Sequence, residues 1–217
     1  LGDYMNVFQP KIDFKREAIA DTGIWVAKKR YALNVWDNEG VRYHEPHLKV
    51  MGLEIVRSST PAPVRSSLRE AVELCLNKDE KELQDFVENT WQSFKKMTPE
   101  QIAFPRGCNN IDKYSSRETV YTKGTPMHVR GALVYNHLLR TQKLEKKYQV
   151  IQDGDKIKFL YLKEPNHVRE NTVAMNGLMP KEFDLHRYID YDTMFEKAFI
   201  DPLTTIVTSL DDLVFFL

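Results

Sequence analysis

Cysteine is scarce in this chain. Its 217 residues hold two, Cys75 and Cys108, without C-x-x-C spacing and in segments that read as a helix and a loop. That argues against a zinc site or a disulfide framework and makes an intracellular, reducing setting the expectation. Long apolar runs are missing too. None approaches the ~18 residues that would span a bilayer, and the N-terminus has neither a basic n-region nor an apolar h-region. Charge of one sign is also missing. The 31 Lys and Arg match 31 Asp and Glu, so there is no global basic excess of the kind that marks a nucleic-acid binder, and any such function has to arise from local clustering. No initiator Met precedes Leu1-Gly2-Asp3. Such a start is expected of part of something longer, or of a reading frame with a non-standard start. Internal repeats and low-complexity tracts are absent.

With 42% hydrophobic and 29% charged residues, the chain can bury a core of ordinary size in one large domain or two small ones. From Lys11 to Tyr43 the apolar pattern has a period near two, and Asp37-Asn38-Glu39-Gly40 supplies turn chemistry. An antiparallel sheet follows, with Arg30 to Val35 a strand leading into a hairpin. Ser59-Thr60-Pro61 is a helix-start signal, after which Val64, Leu68, Ala71, Val72 and Cys75 recur at helical spacing. A second helix after Asn77 places Leu83, Phe86, Val87, Trp91 and Phe94 on one face. Met97 to Gly124 reads as a long irregular connection. A third helix starts near Pro126. Tyr148 to Ile151 and Lys156 to Leu162 form a hairpin candidate about Asp153-Gly154-Asp155, and Asp184 to Phe199 a last amphipathic helix. The fold class is α+β.

Three consecutive cations, Lys28, Lys29 and Arg30, stand before Tyr31. On a regular strand Lys28 and Arg30 share one face, Lys29 and Tyr31 the other. Unpaired cations beside an aromatic suit a nucleic-acid backbone or minor-groove acceptors, although a solvated edge strand protected by lysines gives the same pattern. The tail TSLDDLVFFL gathers Leu210, Leu213, Phe215 and Phe216 behind two acidic residues. It fits either a segment docked on its own domain or an anchor peptide for a groove on another protein. His44-Glu45-Pro46-His47 lacks helical spacing and a third ligand nearby, so it reads as a turn, not a metal site.

The tract KKRYALNVWDNEG, followed by LKVMGLEIVRSSTPAPV, closely resembles the C-terminal part of family B DNA polymerases of tailed, T-even-like phages. Further matches run collinearly: DYMN at Asp3 to Asn6, REAIA at Arg16 to Ala20, NNIDKY at Asn109 to Tyr114, HVRG at His128 to Gly131 and FEKAFIDPL at Phe195 to Leu203. The resemblance implies an antiparallel palm-sheet fragment over residues 1–56, a mostly helical thumb with a β-hairpin over 57–208, and a clamp-binding peptide over 209–217. It implies DNA contacts from the KKRY motif, Lys28, Lys29, Arg30 and Tyr31, and from Asn110, Lys113, His128, Arg130 and Lys197. It puts Glu17 near the active site without making it a principal metal ligand, and gives the clamp contact to Leu210, Leu213, Phe215 and Phe216. Lys15 and Asp201 depart from the family pattern, and Asp21-Thr22-Gly23 is expected to be a compact turn in a shortened hairpin.

The family's metal-holding aspartates, in DxxSLYPS-like and DTDS-like motifs, and its nucleotide-binding KxxxNSxYG-like helix do not occur here. The resemblance therefore implies a chain without catalytic residues or cofactor of its own, inactive alone. It would serve a DNA-directed DNA polymerase whose complete form uses Mg²⁺. The implied partners are primer–template DNA, the N-terminal catalytic portion and a sliding clamp, with no membrane, in the cytoplasm of an infected bacterial host. The alternative is a non-enzymatic DNA- or clamp-binding protein derived from a polymerase thumb.

Overall fold

The computed structural model describes residues 15–77 and 80–211. Three long strands come first: β1 (Ala18–Ala27), β2 (Arg30–Asn38) and β3 (Val41–Met51), antiparallel in that order. The β2–β3 turn is made by Glu39 and Gly40 at φ 53° and 89°, as a two-residue hairpin requires. The buried Asp37 carboxylate holds it, accepting from the Gly40 N–H at 2.9 Å and from Arg16 at 3.1 Å. Asp21, Thr22 and Gly23 do not turn; they lie inside β1, whose register against β2 shifts between Ala20 and Thr22. A bulge absorbs the extra residue, which a turn-forming composition alone does not distinguish from a loop.

One face of this sheet is buried. Ile24, Ala32 and Leu48 join the side chains of α1 (Ala62–Asn77), among them Val64, Leu68, Ala71, Val72 and Cys75, in a single core. Burial pushes the Cys75 and Cys108 thiols up to about 11, so both behave as small apolar residues. Next comes α2 (Glu80–Phe94), whose Trp91 and Phe94 pack in tilted contacts on Phe195 at ring-centroid distances of 5.0 and 5.2 Å.

Residues 97–124, expected to be irregular, are built of short elements: α3 (Pro99–Ile102), β4 (Phe104–Gly107), α4 (Ile111–Tyr114) and the small hairpin of β5 (Ser115–Ser116) with β6 (Val120–Tyr121). Each is too short to show periodicity. Helix α5 (Met127–Thr141) follows.

The expected hairpin about Asp153-Gly154-Asp155 does not form. Strand β7 (Lys156–Tyr161) pairs with β4 on one side and β8 (Thr172–Met175) on the other. The backbone of Ile151 is instead bracketed by the buried Asn136 side chain, whose amide donates to the Ile151 carbonyl at 2.8 Å and accepts from its N–H at 2.9 Å. A side-chain amide satisfies groups that a strand partner would have used.

The last helix also differs from expectation. Residues 181–188 hold two short 3-10 turns, α6 (Tyr191–Phe195) passes into a π-helical turn (Glu196–Ile200), and α7 (Asp201–Asp211) completes the chain's described part. Pro202 has no N–H to give to the Ala198 carbonyl and its ring crowds that oxygen; the ladder shifts register just ahead of it. Helix α7 packs on β1 and α1.

Helix α5 approaches β8 so closely that a Cβ on Gly131 would lie 2.9 Å from the Ala174 nitrogen and 3.0 Å from the Val173 carbonyl carbon. Backbone on both sides leaves no flexible group to yield. Gly131→Ala is expected to destabilise the fold by about 1–3 kcal/mol, read as a lower urea midpoint with an unchanged m-value. An unaltered midpoint would show that the helix and sheet separate freely.

Candidate nucleic-acid interface

Lys28 and Lys29 are not strand residues on alternating faces. They are the two-residue turn joining β1 to β2, closed by the Ala27–Arg30 pair, with Lys29 at φ 62°. Both side chains are exposed and form no ion pair with a described carboxylate. The turn is seated from below. Gly52, at φ 67°, comes so near that a Cβ there would lie 2.1 Å from the Lys29 carbonyl oxygen, a position only glycine can occupy.

Arg30 is occupied. Its Nη2 lies 3.1 Å from Oε2 of Glu54, and Arg57 Nη1 lies 3.0 Å from Oε1 of the same carboxylate. Tyr31, half-buried, stands between Trp25 on β1 and Met51 on β3. Glu17 precedes β1 and is exposed. Its carboxylate accepts from Lys49 at 2.6 Å, and that hydrogen bond, then the ammonium charge, hold the carboxyl below its ordinary value. The KKRY motif thus divides into two uncompensated cations at a tip and two residues that fasten the tip to the sheet.

The second group of expected residues surrounds α4 and α5, which pack together. Asn110, in the left-handed region at φ 61°, leads into α4. The α4 start is held by the turn that had been expected to join a hairpin: Asp153 Oδ1 accepts from the Ile111 N–H at 2.9 Å, and Asp155 O accepts from the Cys108 N–H at 2.8 Å. Lys113 is exposed, its ammonium 5.4 Å from the centroid of Tyr114. His128, in the first turn of α5, is half-buried. Burial, and after it the charge of Arg106, lowers its imidazole from the ordinary value, so at neutral pH it offers a neutral ring, not a cation.

Arg130 is absorbed into a cluster. It donates to Asn171, places Nε 3.4 Å from Glu170, and lies over the Tyr121 ring at 5.2 Å, while the Tyr121 hydroxyl donates to Glu170 at 2.9 Å. Its charge is locally neutralised, and it ties the β5–β6 hairpin to α5 and the loop before β8. Lys197 is exposed on the π-helical turn, 5.9 Å from the Tyr161 centroid.

Several organising residues were not singled out from sequence. Gly52 acts through its backbone, which comes up against the Lys29 carbonyl. Asn166, 7% exposed, holds residues 163–170 by donating to the Lys163 and Glu170 carbonyls at 2.9 and 2.7 Å. The contact of Gly52 with the Lys29 carbonyl, 23 residues away, is fixed only in three dimensions.

Leu210 belongs to α7 and packs against the core, so it is not part of a free tail. Leu213, Phe215 and Phe216 lie outside the described residues, as do Asp3 to Asn6. Among the described residues no three His, Cys, Asp or Glu side chains converge as a metal site, and no helix is long and apolar enough to cross a membrane. The one carboxylate matched to the neighbourhood of a metal centre, Glu17, is engaged by Lys49. The described donor set therefore does not fit a catalytic metal.

The sequence profile described as DNA polymerase family B matches residues 3–210. A DNA-directed DNA polymerase of Enterobacteria phage T4 is 35% identical over 221 aligned residues, covering 96% of this chain and 24% of that protein. One from Escherichia phage RB69 is 37% identical over 213 residues, covering 93% of this chain and 23% of that protein. The chain therefore spans about a quarter of the length of these relatives. A family match over nearly the whole length, with identity above a third, shows that the chain belongs to DNA polymerase family B.

Proposed function

We propose that this chain is the C-terminal part of a replicative DNA-directed DNA polymerase, with residues 1–56 ending the palm and residues 57–208 forming the thumb. It grips primer–template DNA, and the remaining portion supplies the metal-holding aspartates and performs nucleotidyl transfer in an infected bacterial cell. The observation that carries the reading is the β1–β2 turn. It presents Lys28 and Lys29 without described counter-charges on a backbone that Gly52 seats, within a tract matched to the family.

Cations at a tip can enter a groove. Minor-groove acceptors are nearly alike for all correctly paired bases, so lysines there sense pairing geometry without reading sequence. That suits an enzyme that must copy any template. Lys113 and Lys197 are solvent-facing candidates for backbone phosphates; His128 is suited to a neutral hydrogen bond. Arg30 and Arg130 are positioning residues in this reading, because each is held by a carboxylate. The segment after Asp211 supplies an apolar anchor for a sliding clamp, which raises the local concentration of enzyme at the primer end without tighter DNA contacts.

The deciding experiment is primer extension with Mg²⁺ and four deoxynucleotides, using this chain alone and then with the preceding polymerase portion added. Synthesis is expected only in the mixture. Silence in both would favour a non-enzymatic binding protein.

Replacing Lys28 and Lys29 by Ala is expected to lower DNA affinity and reduce the slope of log K against log salt by about 0.9 for each phosphate that is no longer neutralised. The weakening should be the same on different template sequences. An unchanged slope and affinity would remove the turn from the interface.

Deleting Leu213 to Leu217 is expected to shorten products only when the clamp is present. An equal loss without clamp would make the tail a structural element.

A further inference from the structure

We propose that Trp25 is a stacking residue for a nucleotide, adding a non-ionic contact beside the Lys28–Lys29 turn. This rests on the DNA-binding reading above. Trp25 is 58% exposed, well beyond what an aromatic in a ten-residue strand needs, and Met51 is 44% exposed. Trp25 pairs across the sheet with Tyr31, and Tyr31 with Met51. The three therefore stand in one row on the same face. That face lies opposite Ile24 and Ala32, which are fully buried. The row adjoins the Ala27–Arg30 pair that closes the lysine turn.

The indole is supported from the sheet side. A Cβ on Gly23 would lie 2.7 Å from Cη2 of Trp25 and 2.7 Å from Cδ2 of Leu33. The six-membered ring thus leans over Gly23, beside Leu33, in space that any side chain at position 23 would fill. It is braced on one side and open on the other. A rigid aromatic face flanked by cations is the arrangement by which proteins hold nucleotides, the ring taking the base or sugar and the lysines the phosphates.

A protein surface is the competing occupant for an exposed apolar row. Two observations weigh against it. Lysine is depleted from the centres of protein interfaces, yet two lysines border this row. The carboxylate that holds Arg30 next to the turn, Glu54, is already engaged by Arg30 and Arg57.

The test compares the full chain with Trp25→Ala, Trp25→Phe and Lys28→Ala, measuring fluorescence anisotropy on a labelled primer–template, a blunt duplex and a single strand across a salt series. Trp25→Ala is expected to weaken binding about 5- to 100-fold with the salt slope unchanged; Trp25→Phe keeps most of the affinity. Lys28→Ala lowers the slope. A loss confined to DNA with unpaired bases assigns the stacking to an unpaired base; an equal loss on the blunt duplex assigns it to a duplex end or to sugar. Thermal melting of each variant checks folding, which the exposed position leaves intact.

If Trp25→Ala binds all three DNAs like the parent while Lys28→Ala does not, the inference fails and the DNA-binding reading stands. The same follows if Trp25→Ala weakens only association with the preceding polymerase portion. If the parent chain binds none of the three DNAs, both fail together.

Discussion

Among the described residues the sheet of β1, β2 and β3 has helices on one side only, and much of the chain's organisation follows from that asymmetry. Ile24, Ala32 and Leu48 turn inward to meet α1, while α7 returns from the far end of the sequence to pack on β1. A sheet buried on one face must carry its other face to solvent or to a partner. The inward face supplies the burial that holds the sheet to the helices, so the outward face and the turn at its end are free of that task. Trp25, Met51 and the two turn lysines occupy it.

Charge is sorted by the same geometry. Three arginines near the candidate interface look alike in sequence but are committed to carboxylates: Arg30 and Arg57 share Glu54, and Arg130 faces Glu170 with Tyr121 beneath it. Pairs of this kind, partly withdrawn from water, contribute geometry by fixing a guanidinium in one place. Lys28 and Lys29 have no such partner among the described residues. The planar, multidentate cation does the fastening and the compact one is left at the tip, a division that follows from the chemistry of the two side chains.

How much of this was legible beforehand varied with the range of the interaction involved. The long strands and helices were visible because their burial repeats along the sequence: Val64, Leu68, Ala71 and Val72 mark α1 without help from elsewhere. The β2–β3 hairpin was legible because Glu39-Gly40 carries its turn chemistry locally. Where partners are distant, the reading failed. The segment before Asp153 looks like a strand but is satisfied by Asn136 from α5. The Asp153-Gly154-Asp155 turn looks like a hairpin tip but caps α4. Collinear motifs marked the candidate interface, yet they could not separate Lys28 from Arg30, because that distinction depends on Glu54, 24 residues away from Arg30.

A net charge of zero is compatible with a DNA-handling role once these roles are separated. A uniformly basic surface attracts DNA over a Debye length, about 8 Å at physiological ionic strength, and holds it anywhere. A chain in which 31 carboxylates balance 31 Lys and Arg side chains exerts little net attraction at that range, so the pull of two turn lysines without a described carboxylate partner is felt mainly at close range. In the proposed polymerase such a grip is weak in isolation, and it strengthens only when the groove is seated on the turn. An enzyme that must advance after each nucleotide benefits from a hold of that kind, since a short-range interaction can be released and remade one step further along, whereas a long-range field would have to be overcome at every step.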